Sequence, residues 1–217
     1  MFYLMMNDYN SSVIPRYLHA LIDYRKQINC DWDYESSDQS FPEFMLDGSC
    51  PDSLFLLCRK NAGALKFDYY KHGAGHIVSN KLLDVIKKLK TSHYIVKKLV
   101  ATSIKDGAII RDDLNYIYFV GGESFINVDS SCLEEDKRGN IIPSNLVFNS
   151  TANEYDVVSI KKTLFHNFIF VNEVALGSLK KFKGIKFVAT GDALNEYCKD
   201  YRYDLQGNKK VKKIKLP

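Results

Sequence analysis

Three carboxylates, Asp31, Asp33 and Glu35, alternate with Trp32 and Tyr34, and Asp38 follows closely. Acids at this density raise glycoside hydrolysis and cation binding as the first chemistries to consider. A glycosidase draws its two carboxylates from separate rigid elements facing each other across a cleft. A calcium loop needs a glycine at its sharp turn and a bidentate acid at its end. One short polar segment meets neither requirement. Its remaining use is contact: Trp and Tyr offer rigid contact area, and acids speed the approach of a basic partner. Asp31, Trp32, Asp33, Tyr34, Glu35 and Asp38 are therefore the expected partner-binding residues, with a solvated acidic loop as the plain alternative.

Two imidazoles, His72 and His76, flank Gly73-Ala74-Gly75. A metal could use both, but a glycine loop does not fix them on one face and no third ligand stands nearby. A flexible turn ahead of a helix is the expected structure, with no metal and no cofactor. The five cysteines are odd in number and form no C-x-x-C pair, so they read as reduced thiols filling small apolar spaces. No Walker lysine motif, H-E-x-x-H, G-x-S-x-G or G-x-G-x-x-G occurs, and a non-enzyme is expected. The enzymatic alternative is a site assembled from scattered groups, such as His72, His76 or His93 with one of the acids.

Charge is unevenly distributed. The net is +4, yet residues 27–58 hold seven acids and no Lys or Arg, while the last 19 residues hold seven bases and two acids. The lysines between Lys209 and Lys215 admit a nucleic-acid-binding reading. That reading is unfavoured, because the tail lacks a glycine–aromatic single-strand pattern and the acidic block would repel phosphates. Apolar residues at 46% and charged residues at 26% are ordinary globular values. No apolar stretch approaches the ~20 residues of a membrane helix, and the first residues lack a basic signal-peptide region. No membrane association and a cytoplasmic location are expected.

The elements that must hold these residues alternate between two periods. Residues 2–6 read as a short strand. Ser11 or Ser12 is placed to cap a helix in which Ile14, Tyr17, Leu18, Leu21, Arg25 and Ile28 share a face. Residues 54–58 and 65–69 read as strands. Ser79 caps a helix expected to run to Lys90, with Leu82, Leu83, Ile86 and Leu89 inward and Lys81, Lys87, Lys88 and Lys90 outward. Those exposed lysines are the next surface to consider if the acidic segment is only a solvated face. Short β-branched and aromatic runs follow at 94–100, 108–111, 116–120, 125–128 and 146–148, with Asp106-Gly107 and Gly121-Gly122 as hairpin turns. An antiparallel meander is their simplest arrangement. Residues 168–171, a helix from Asn172 stopped at Gly184, and residues 185–189 form a strand–helix–strand unit. The expectation is one α+β domain over residues 1–217, with sheets, a few helices packed on them and a frayed basic tail from about 205.

The segment Gly75-His76-Ile77-Val78-Ser79-Asn80-Lys81-Leu82-Leu83-Asp84-Val85-Ile86 resembles the glycine, apolar pair, serine, helix step of bacterial immunity proteins from polymorphic toxin systems. Phe168-Ile169-Phe170-Val171-Asn172-Glu173, through Gly184-Ile185-Lys186-Phe187, resembles their closing strand–helix–strand. The nearest family is immunity protein 43, with a related group of Myxococcus-type immunity domains beside it, and the likeness covers residues 65–190. It implies no catalytic residues, and a role in contact-dependent inhibition: tight, stoichiometric binding of a cognate toxin C-terminal domain. If Asp31, Asp33, Glu35 and Asp38 form the docking edge, that toxin should carry a basic face, as nucleic-acid-cleaving toxins do.

Overall fold

The computed structural model describes residues 1–26, 28, 51–59, 65–120 and 125–213. Along the chain come β1 (Phe2–Asn7), β2 (Ala20–Asp23), β3 (Ser53–Cys58), β4 (Tyr69–His72), β5 (Gly75–Ser79) and α1 (Asn80–Ile86). Next are β6 (Tyr94–Ser103), β7 (Ile109–Phe119), β8 (Cys132–Asp136), β9 (Ile141–Asn145) and β10 (Val157–Val158). The remainder is β11 (Ile169–Asn172), α2 (Glu173–Leu179), β12 (Ile185–Ala189), α3 (Ala193–Tyr201), α4 (Leu205–Asn208) and β13 (Lys209–Lys213). The fold is α+β.

Among the described residues three sheets result, in the orders β10-β11-β1-β12, β13-β8-β9 and β2-β3-β6-β7-β5-β4. In the first, β11 and β12 both run antiparallel to β1 and lie on either side of it. Helix α2 therefore carries the chain across β1, making a split β-α-β unit. The six-stranded sheet is mixed, because β3 pairs parallel with β6 while its other pairs are antiparallel.

Alternation along β1 explains how the sheets join. Phe2, Leu4 and Met6 face a cluster with Phe165, Phe170 and Leu194, whereas Met5 faces the opposite way. On that side Met5, Ile169 and Val171 meet Tyr69, Val78 and Ile117 of the six-stranded sheet, with Leu82, Leu83 and Ile86 of α1 and Leu176 and Leu179 of α2 between them. Burying each such side chain contributes about 1.5–3 kcal/mol, so this shared cluster locks the two sheets and both helices together.

Several expectations need correction. Over the described residues 11–26 the expected helix does not form: Tyr17 lies 68% exposed, and Ala20 to Asp23 pair antiparallel with β3. Burying Ala20 and Ile22 in a ladder outweighs the 3.6-residue stripe. Helix α1 ends at Ile86, one turn short of Lys90, although Leu82, Leu83 and Ile86 are buried as expected. Residues 65–67 alternate buried and exposed, but the ladder begins only at Tyr69. The Arg111 guanidinium donates to the carbonyls of Leu65 and Phe67, both at 2.6 Å, and takes the place of a neighbouring strand. The runs at 108–111 and 116–120 belong to one strand, β7, whose second neighbour is β5, so the meander is incomplete. The residues after Asp204 form α4 and then β13, whose backbone pairs with β8. The Gly121-Gly122 turn lies outside the described residues.

Candidate partner interface

Asp68 organises a charged surface built from three parts of the chain. Ser79 closes β5 and caps α1: its Oγ accepts from the Leu82 N–H at 3.3 Å, and its hydroxyl donates to Asp68 Oδ1 at 2.9 Å. Asp68 Oδ2 accepts from the Lys183 N–H at 3.0 Å, and the Asp68 N–H donates to the Lys183 carbonyl at 2.8 Å. One aspartate thus ties the approach to β4, the start of α1 and the turn between α2 and β12. That turn closes at Gly184, where φ is +93° and a Cβ would lie 2.6 Å from Ile14 and 2.7 Å from the Tyr69 carbonyl. Only glycine satisfies both conditions.

Between these three pieces runs a groove of about 480 Å³. Lys66, Lys81, Lys181 and Lys183 line it, with Val85 and Phe182 as its apolar part and Asp68 as its one acid. All four lysines are exposed. Among the described residues none has a carboxylate within ion-pair distance. Both Asp68 oxygens already accept from Ser79 and Lys183, so the one acid is engaged in holding the walls.

A second concavity, about 390 Å³, is bounded by residues 16–20 and the β4–β5 hairpin. Its cations are committed. Arg16 donates to the Asp200 carbonyl at 2.6 Å and stacks 4.7 Å over the Tyr9 ring; Lys71 donates to the Gly73 carbonyl and lies 4.5 Å from the Phe168 ring centre.

The two histidines of the sequence sit on that hairpin. The loop expected around them is a strand pair with a two-residue turn, Gly73-Ala74, in which His72 faces Gly75 across the ladder. Gly73 takes φ +58°, the positive value a hairpin of this length requires at its first turn residue. His76 is 1% exposed, stacks on Tyr69 and shares a hydrogen bond of 3.0 Å with its hydroxyl. Burial, reinforced by the Lys71 ammonium, holds His76 well below the ordinary imidazole value and brings His72 down to about 4. Burial also lowers Lys71 to about 8. Neutral His76 is sealed between strands and supports the hairpin, while His72 lines the second concavity. Among the described residues no three His, Cys, Asp or Glu gather in a group that could hold a metal. Among the same residues no helix is long and apolar enough to cross a membrane.

The residues singled out for partner contact, Asp31, Trp32, Asp33, Tyr34, Glu35 and Asp38, lie outside the described residues. Of the groove, sequence reasoning had Lys81 on the outer face of α1 but passed over Lys66, Lys181 and Lys183. The run Lys180-Lys181-Phe182-Lys183-Gly184 was the available signal; its meeting with Lys66 and Lys81 is tertiary. What the groove offers chemically is contact, with ammonium groups set around an apolar strip.

The family model of immunity protein 43 matches residues 6–205. That span reaches from the end of β1 to the first residue of α4, and the chain belongs to the immunity protein 43 family. The match extends well past residues 65–190 in both directions. No curated protein matches the chain.

Proposed function

We propose that this protein binds a cognate toxin C-terminal domain one to one and thereby neutralises it. The observation that carries this reading is the family match across residues 6–205, which takes in both sheets that enclose the shared core. Inhibition by contact asks for a preformed surface and a fast encounter, and complementary charge supplies the encounter. The acidic segment of residues 27–58 forms one docking edge, with Asp31, Asp33, Glu35 and Asp38 steering a basic face of the toxin, as a nuclease-type toxin would carry, and Trp32 and Tyr34 supplying contact area.

The test is association of the purified protein with the toxin domain encoded beside its gene, followed by stopped-flow kinetics. A 1:1 complex that abolishes the toxin's activity is the expected result. Reversing Asp31, Asp33 and Glu35 to Lys should slow association about tenfold or more at low salt and flatten its salt dependence, while Trp32→Ala mainly raises the dissociation rate. Unchanged rates in the triple reversal would remove this edge from the interface. Absence of any complex would remove the function.

A further inference from the structure

We propose that the lysine-lined groove between α1 and the α2–β12 turn receives a carboxylate-bearing segment of the toxin domain, an inference that rests on the immunity reading. Folding brings Lys66 and Lys81 to Lys181 and Lys183 from three separate parts of the chain. None of the four has an ion-pair partner among the described residues, so their mutual repulsion is left for an outside anion to relieve. The single acid of the groove, Asp68, offsets only one of these four charges, and its hydrogen bonds from Ser79 and the Lys183 N–H hold it in the wall. In the other concavity of similar size Arg16 and Lys71 donate to backbone carbonyls, whereas of the groove's lysines Lys181 lies 5.5 Å from the Phe182 ring centre.

The chemistry of the lining favours an acidic peptide over a nucleic acid. Val85 and a half-buried Phe182 suit an apolar side chain flanked by acids. Among the described residues the groove holds no arginine for bidentate phosphate contact. The walls are set before any ligand arrives, because Asp68 and Gly184 pin α1 and the turn in place, and a preorganised groove loses little entropy on binding. With the acidic segment as the first edge, the toxin domain would carry one basic and one acidic patch. Two contacts of opposite sign fix its orientation as one alone cannot.

The experiment compares the wild-type protein with a variant in which Lys66, Lys81, Lys181 and Lys183 are all changed to Glu, and with the same four changed to Gln should the first fail to fold. With the catalytically inactivated toxin domain at low salt, association should slow about tenfold or more in the Glu variant and less in the Gln variant, with circular dichroism unchanged. A folded variant that associates at the wild-type rate overturns the groove while leaving the immunity function standing. If the wild type binds no toxin domain, the function fails instead. The groove is then read with a fluorescein-labelled peptide, Glu-Asp-Phe-Glu-Asp: lysine-dependent binding supports an acidic ligand, and no binding overturns it. Tighter binding of a short single-stranded DNA than of the peptide overturns it in favour of nucleic acid. A salt-sensitive dimer lost in the lysine variant overturns it in favour of a second copy of this chain.

Discussion

At the scale of single residues, Gly75 is needed for space. A Cβ there would lie 2.2 to 2.5 Å from the ring and hydroxyl atoms of Tyr116, which is fully buried and donates to the His72 carbonyl at 3.2 Å. Gly75→Ala should destabilise by about 1–3 kcal/mol, read as a lower urea midpoint, and Tyr116→Leu on that background should recover part of the loss. The neighbouring imidazoles predict an acid response. His72 and His76 stay neutral when folded and charge at ordinary values when unfolded, so below about pH 6.5 the unfolded chain binds more protons. Their contribution is therefore complete above that pH and is lost as pH falls through the folded value, near 4 for His72. In His72→Asn/His76→Gln the unfolding midpoint should fall less steeply between pH 6.5 and 4; an identical slope would refute the assignment. The sequence showed these residue types and their spacing but not their use, because a glycine-flanked pair of histidines reads the same in a loop and in a tight hairpin.

Elements were legible where local periodicity and caps agree with the tertiary environment. β1, β3, the start of α1 with its Ser79 cap, and the β11–α2–β12 unit with its Asn172 cap all fall where their patterns place them. Helix α2, however, ends at Leu179 with Lys180 as its C-cap, and Gly184 closes the turn into β12 instead of stopping the helix. β8 and β9 were missed for a physical reason: Glu134, Glu135 and Asp136 in one and Pro143 in the other argue against strands, and the ladder comes from their pairing with each other and of β8 with β13. Helix α3 was missed because Asn195, Glu196, Lys199 and Asp200 interrupt its apolar residues, and its inward charges are explained only by the strand beneath. There Lys186 of β12 bridges Glu196 at 2.7 Å and Asp200 at 2.6 Å. Contact with Lys186 is the main influence holding Glu196 below the usual carboxylate range. Lys186→Met would leave two acids facing an empty position, and should cost about 1–3 kcal/mol at pH 7. The loss should fade below about pH 5 as the orphaned Glu196 carboxylate protonates. A cost that stays constant from pH 7 to pH 4 would show that the triad is held by packing rather than charge. In the groove, exposure of Lys66 and Lys81 was readable from alternation and helical phase, whereas their approach to Lys181 and Lys183 depends on α2 packing beside α1.

For the molecule as a whole, a net charge of +4 conceals the arrangement that matters. The six-stranded sheet and the sheet around β1 share one apolar cluster, and the lysines are displayed at the seam where α1 and the α2–β12 turn cover it. Surface charge and internal packing are thus linked through Asp68, so a change that loosens the seam would blur the groove as well. The position of β1 has a consequence in time. Its two neighbours, β11 and β12, are separated from it by more than 160 residues of chain, and nothing translated earlier supplies either ladder. While a ribosome works through the intervening sequence, Leu4 and Met5 have no sheet in which to settle. This inner strand of the sheet is made well before both of its neighbours and is among the last to find its place, leaving the nascent chain an apolar strand that is slow to be covered.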